Sequence, residues 1–409
     1  MSCSTRHFSA PPAEPNESLT GFSARVFPAV AVTIACLLYA IHSFFGGGNE
    51  HRILDSWAYL QISDGQSAGV PFDIRVLVPW LAAHTAILSG LSVSAAYNLL
   101  TSLALLGSLL ILKQLLTQRG SSWQWQTAVL LAFGCSLAVT FGYTPILVDP
   151  FLLLVTCLTI VALVKGKLVA ALVLTCVAVL TKEFGLFLVP VWAFYTYRLG
   201  YRKSACVGLL APIAIFVVVV LVRHSDAPAV FPGWKPYAYH YLFDYQLSVL
   251  RLRGLSSYLK LLYMGAWCGL WPTSLLAAMC ILDRSIRSTA IGVYRIGLAV
   301  LLVSLPILLP GDWSRNLIVL VPFSSIVAAK HPLARDRYFI GLIAIGGLTT
   351  ALARPFHGEP LPAALMISMT AFSLISSVMI AIKLVQYTFW SSRLEIDPLF
   401  EQTAGATID

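Results

Sequence analysis

Apolar residues run through the chain in long unbroken stretches, near 26–45, 76–88, 94–117, 125–141, 146–164, 168–180, 184–197, 205–222, 258–282, 291–309, 316–329, 338–353 and 362–387, separated by short polar turns. They do not alternate with period two, which argues against an outer-membrane barrel and for helices. Helices are then the way such segments satisfy their backbone inside lipid, so the pattern predicts an all-α polytopic membrane protein. The stretch 76–88, VLVPWLAAHTAIL, offers about 13 residues where a crossing takes roughly 20, and it carries Pro79, Trp80 and His84. It is expected to be an interfacial or re-entrant helix, leaving about twelve crossings from the other segments.

Omitting that one crossing puts Lys113 and Arg119, Lys165 and Lys167, Arg198 with Arg202 and Lys203, Arg284 with Arg287, and Lys330 with Arg335 and Arg337 on the side of the N-terminus. This is the positive-inside distribution, with both termini cytosolic. The loops 46–75, 142–149, 181–183, 224–257, 310–315 and 354–360 then share the opposite, outer face. Residues 1–24, rich in Ser, Pro and Glu, are expected to be a disordered cytosolic tail with no apolar core for a cleavable signal. Residues 25–389 form the transmembrane domain, in which 46–93 is an outer loop with interfacial helices and 224–257 a long outer loop; 390–409 is a second cytosolic tail.

Composition sharpens the class. The chain of 409 residues is 58% hydrophobic and only 11% charged, against roughly 25% charged in soluble domains, with mean hydropathy +0.81. Its net charge of +9 is dispersed over short loops, so it reads as a topology signal and argues against a nucleic-acid partner. Of the eight cysteines, Cys36, Cys135, Cys157, Cys176, Cys206, Cys268 and Cys280 sit in or beside apolar segments without metal-ligand spacing, as buried small hydrophobes do.

The ionisable residues of the outer loops carry the candidate chemistry. In HRILDSWAYLQISDG, Asp55 and Tyr59 share one helical face while Ile53, Trp57 and Leu60 fall on another, the pattern of a helix lying on the membrane with its acid turned from lipid. The bland alternative is an incidental acid beside an interfacial Trp. Asp149, in GYTPILVDP, opens a span with Pro150 behind it, either as a helix-capping acid or as a second carboxylate on the same face. Two such carboxylates can act as base and orienter, or share a divalent metal. Lys182 and Glu183, in LTKEFGLFLVP, lie between two short apolar segments, where a cation can hold a phosphate or the two charges can neutralise each other. In PGDWSRNL, Arg315 departs from the positive-inside trend and hints at an anionic ligand, unless Asp312 pairs with it. The loop FPGWKPYAYHYLFDY places Trp234, Tyr237, Tyr239, Tyr241 and Tyr245 around Lys235, His240 and Asp244; such rings suit sugar faces or a lipid boundary. His51, His84 and His240 lack zinc-type spacing. Walker A, GxGxxG, GxSxG and HExxH are absent, which removes nucleotide-driven pumps and common hydrolases and favours a substrate energised before arrival.

The order of these motifs resembles the C-type superfamily of integral-membrane glycosyltransferases (GT-C), which includes protein O-mannosyltransferases and lipid A aminoarabinose transferases. The resemblance rests on a first span, an outer loop with an early acid and D-x-x-x-Y (Asp55, Tyr59), the R-x-L-x-P stretch of FDIRVLVPWLA, the acid opening DPFLLL, and the Lys-Glu segment LTKEFGLFLVP ending in Pro190. It covers about a quarter of the chain and lacks the soluble C-terminal domain of some members. It implies a GT-C-like bundle that transfers a sugar from a polyprenyl-phosphate donor to an acceptor glycan, lipid or protein at the periplasmic or lumenal face, with a bacterial inner membrane favoured. Asp55 would be the base that takes the acceptor proton, or a carboxylate that orients it, with Asp149 as its partner. Arg75, Lys182 and Arg315 would be candidates for the donor phosphate, Lys182 best by motif. Tyr59, Glu183, Trp234 and His240 complete the expected substrate contacts. No cofactor is demanded, and a divalent metal stays open. The competing class is a transporter or flippase of a lipid-linked or small polar substrate, which predicts symmetric halves and charges near the midplane; the sequence has no internal repeat.

Overall fold

A computed structural model describes residues 17–46, 54–68, 72–143, 145–222, 251, 271–282, 297, 317–352 and 363–394. Its helices are α1 (Glu17–Gly46), α2 (Leu54–Ser63), α3 (Leu77–Ser89), α4 (Val93–Gln118), α5 (Trp123–Tyr143), α6 (Asp149–Val164), α7 (Leu168–Thr181), α8 (Leu188–Arg198), α9 (Arg202–Val222), α10 (Trp271–Leu282), α11 (Val321–Ala328), α12 (Arg337–Leu352) and α13 (Ala363–Leu394). Tight 3-10 turns stand at Phe72–Ile74, Glu183–Phe187, Leu317–Leu320 and Pro332–Arg335. No strand occurs among the described residues.

Four helices among the described residues are long and apolar enough to cross a membrane: Phe22–Ser43 within α1, Val93–Gln118, Arg202–Val222 and Ile367–Tyr387 within α13. The apolar helices Leu77–Ser89, Asp149–Val164, Leu168–Thr181 and Arg337–Thr349 are shorter. The segment 316–329, expected as a crossing, is instead a 3-10 turn followed by the eight-residue α11, buried along its whole length. Its apolarity serves the protein interior and not lipid, a distinction hydropathy alone does not make. The helix α1 begins at Glu17, inside the stretch read as tail, because extending a formed helix costs far less than nucleating one.

Neighbouring helices pack in the order α13, α12, α5, α1, α4, α6, α7, α9, α8, with α2 and α3 laid against α4 and α10 against α11. Small residues let the backbones close: a Cβ on Gly134 would stand 2.8 Å from the Ala35 Cβ, and one on Gly347 2.3 Å from Ala132 Cα. Asn98 of α4 adds a polar tie to α1, accepting from Tyr39 Oη at 2.9 Å and Ser43 Oγ at 2.6 Å. Around these contacts lies a core built on Trp125, Phe133, Phe141, Leu105, Leu109, Leu112, Phe323 and Phe339. By contrast α9 exposes Val207, Leu210, Ile213, Val217, Val218 and Leu221, as expected of a peripheral span. Cys206 is exposed on that helix, so the expectation of buried cysteines holds for Cys135, Cys157 and Cys280 and fails there.

Candidate functional site

The site begins with a helical hairpin. At 16 and 14 residues, α6 and α7 rise about 24 and 21 Å, short of the roughly 30 Å of hydrocarbon. They are joined by Lys165-Gly166-Lys167, where Gly166 takes φ +69°, a left-handed conformation that ends α6 at little steric cost to glycine. The hairpin therefore returns the end of α7 to the start of α6. Lys182, the residue after α7, meets Asp149, the first residue of α6: Lys182 Nζ donates to Asp149 Oδ1 at 2.6 Å, with the side chains 4% and 1% exposed. Lys182 also lies over the Phe184 ring at 4.7 Å.

Lys182 has extended backbone (φ −161°, ψ 146°) and Glu183 starts the 3-10 turn, so adjacent side chains leave in different directions. Glu183 turns to Arg75, accepting from Nε at 2.8 Å and from Nη2 at 2.5 Å in a bidentate pair. The turn itself is clamped: Gly185 N donates to Lys182 O at 2.8 Å, and Gly185 sits so close to α7 that a Cβ would stand 2.2 Å from the Ala178 carbonyl carbon. Burial alone would push the Glu183 carboxyl up, but the Arg75 charge and hydrogen bonds, with the Lys182 charge, outweigh it and hold the acid below its ordinary value.

Arg75 faces the first loop as well. Its Nη1 donates to Tyr59 Oη at 2.7 Å, and Tyr59 is fully buried. Phe72 packs edge-on against Tyr59, with centroids 5.7 Å apart, and lies under the Arg75 guanidinium. The segment leading to Arg75 is fixed by Asp73, whose carboxylate accepts from Ser67 Oγ at 2.5 Å and from Ala68 N at 2.8 Å. Tyr97 and Ser63 add to the seat of α2: Tyr97 Oη donates to Tyr59 O at 3.3 Å and Ser63 Oγ to Pro79 O at 3.2 Å.

Asp55 stands one turn before Tyr59 on α2 and is half-buried, while Trp57 is exposed; Leu60, expected on the face of Trp57, is instead half-buried and packed on the core, and Ile53 lies outside the described residues. Ser56, the next residue, donates to Ile146 O at 3.4 Å, and Thr101 donates to Pro145 O at 2.8 Å, which moors the approach to Asp149 against α2 and α4. One connected network thus joins α2, Tyr59, Arg75 and Glu183, then the peptide to Lys182, then Asp149. The sequence brought out each of those residues but not their pairings. It missed Asp73, Ser67 and Tyr97; an acid two residues before Arg75 in a Gly- and Ser-containing loop was the available signal for the first. Arg315, Asp312, Trp313, Trp234, Lys235, His240 and Asp244, with His51, lie outside the described residues. His84 lies against Trp80 on the exposed side of α3, with ring centroids 4.1 Å apart and planes tilted by 36°.

Beside the network an apolar groove of about 370 Å³ runs between α3, α7 and α9, lined by Val76, Leu77, Trp80, Leu180, Val218, Val219 and Val222. Two of its lining residues border the network in sequence: Val76 follows Arg75 directly, and Leu180 lies two residues before Lys182. Among the described residues no three His, Cys, Asp or Glu side chains gather as metal ligands. No protein-family model, curated protein or solved structure matches this chain.

Proposed function

We propose that this chain is a membrane glycosyltransferase of the GT-C type, moving a sugar from a polyprenyl-phosphate donor to an acceptor on the periplasmic or lumenal face. The observation that carries the reading is the network itself: the acid-bearing helix α2 is hydrogen-bonded through Tyr59 and Arg75 to the Lys182-Glu183 turn and its partner Asp149. Charged groups from three distant stretches of an apolar chain meet at one end of the α6–α7 hairpin. A buried ionic network of this kind is costly unless it has a use, and it lies beside a groove apolar enough for an isoprenoid chain.

In this reading Asp55 takes the proton from the acceptor hydroxyl as its oxygen bonds to the anomeric carbon of the sugar. The bond from that carbon to the phosphate oxygen breaks, and polyprenyl phosphate leaves with the electron pair. Arg315 supplies positive charge to the departing phosphate, and Lys182 does so with a further ammonium hydrogen while one hydrogen bond to Asp149 holds it in place. Trp234 and His240 belong to the sugar and acceptor contacts, and a divalent metal is an optional addition. About twelve crossings, two cytosolic termini and a bacterial inner membrane complete the proposal.

The competing class is a flippase or transporter, and product analysis separates the two. Purified protein in vesicles with radiolabelled polyprenyl-phosphate sugars should release polyprenyl phosphate and move label to an acceptor fraction. Intact donor crossing the bilayer without cleavage would replace the transferase by the flippase.

A further inference from the structure

We propose that Arg75, with Tyr59 and Glu183, is a positioning device for the helix that carries Asp55, and is not a ligand of the donor phosphate. This rests on the transferase reading for its catalytic consequence, but its structural half stands alone.

Three observations carry it. Every nitrogen of the Arg75 guanidinium donates within the protein: Nε and Nη2 to Glu183 and Nη1 to Tyr59. Arg75 and Glu183 side chains are 6% and 12% exposed, so the fork is buried with its charge already met by a carboxylate. The fork also bridges two elements, α2 on one side and the clamped turn after α7 on the other. That turn is rigid, because Gly185 abuts the Ala178 backbone. Arg75 therefore transfers a fixed position to Tyr59, and Tyr59 sits one helical turn from Asp55 on the same face. An anion entering this site would have to displace Glu183 from a bidentate pair. Lys would not serve in place of Arg75, since a single ammonium lacks the planar fork that reaches both partners.

Tyr59→Phe is the cleanest probe, because it removes one hydroxyl and leaves the Arg75–Glu183 pair and the ring packing in place. Arg75→Lys is the second variant, keeping the charge while losing the fork. Hydrogen–deuterium exchange on the full-length protein in detergent or nanodiscs should show faster exchange of the 54–63 amides in both variants, with the α6 and α7 amides unchanged. Transfer assays should show kcat reduced about 10- to 100-fold, as expected for a displaced catalytic group, with KM for the polyprenyl-phosphate sugar unchanged. Unaltered exchange in α2 would overturn the proposal whatever the activity does. A rise in donor KM with kcat retained in Arg75→Lys would overturn it too, returning Arg75 to the phosphate. If the wild-type protein transfers no sugar, the transferase reading fails, and the exchange data still decide whether Arg75 holds α2.

Discussion

The ammonium of Lys182 donates to the Asp149 carboxylate across 2.6 Å, joining the residue that follows one short helix to the first residue of its partner in an almost dry setting. Burying two charges is compensated only while both are present. Asp149→Asn or Lys182→Met alone leaves the other charge without its partner and should lower unfolding stability by about 3–5 kcal/mol. The double variant Asp149→Asn with Lys182→Met, made of the same two changes, should recover most of that loss. Thermal unfolding in one detergent reads this double-mutant cycle; additive losses would contradict the account.

Acid should reveal the Glu183 pair. Its carboxyl titrates below the ordinary value of 4.5 in the folded protein, so the stability it contributes is fully present above the unfolded value and is lost as pH falls through the lower folded value. Wild type should therefore lose more stability than Glu183→Gln as pH drops below about 4.5, and the two should run parallel from there to neutrality. Curves that stay parallel through the acid range would mean the pair contributes no proton linkage.

Gly185 should tolerate no side chain. A Cβ there would strike the Ala178 carbonyl carbon at 2.2 Å, and that atom belongs to helix backbone, so the turn bearing Lys182 and Glu183 must move. Gly185→Ala should cost about 1–3 kcal/mol, the range for overpacking, and reduce transfer more than stability alone explains. Gly65→Ala is the comparison: it meets nothing within 4 Å but keeps φ +80°, costing about 1–2 kcal/mol of backbone strain. Gly65→Ala should leave Lys182 and Glu183 undisturbed, as a nitroxide or cysteine label near the turn would report.

Much of this arrangement was visible in the chain, and its gaps have physical causes. The short helix over 76–88 was readable from length and Pro79, and Leu77–Ser89 matches it closely. Asp149-Pro150 as a helix start was equally readable, because both residues favour the first turn. Pairing was not. Lys182 and Glu183 as neighbours suggest mutual neutralisation, yet the extended backbone at Lys182 sends them to different partners, a fact held in dihedral angles and not in composition. Arg75 and Glu183 lie 108 positions apart, and only the folded chain joins them. Burial in protein also mimics burial in lipid: α11 reads as part of a span, though it is a short interior helix. Among the described residues four helices have the length to span, while nearly all of the expected crossing at 291–309 and about half of that at 258–282 fall outside them.

The central claim is that Asp55 is the base of a sugar transfer. The most direct test compares purified wild type with Asp55→Asn on a panel of radiolabelled polyprenyl-phosphate sugars, measuring both sugar transfer and donor binding. Turnover in wild type, abolished in Asp55→Asn with donor binding retained, is the predicted result. Equal turnover in the two proteins would contradict the role of Asp55, and the absence of turnover with every donor, acceptor fraction included, would contradict the transferase itself.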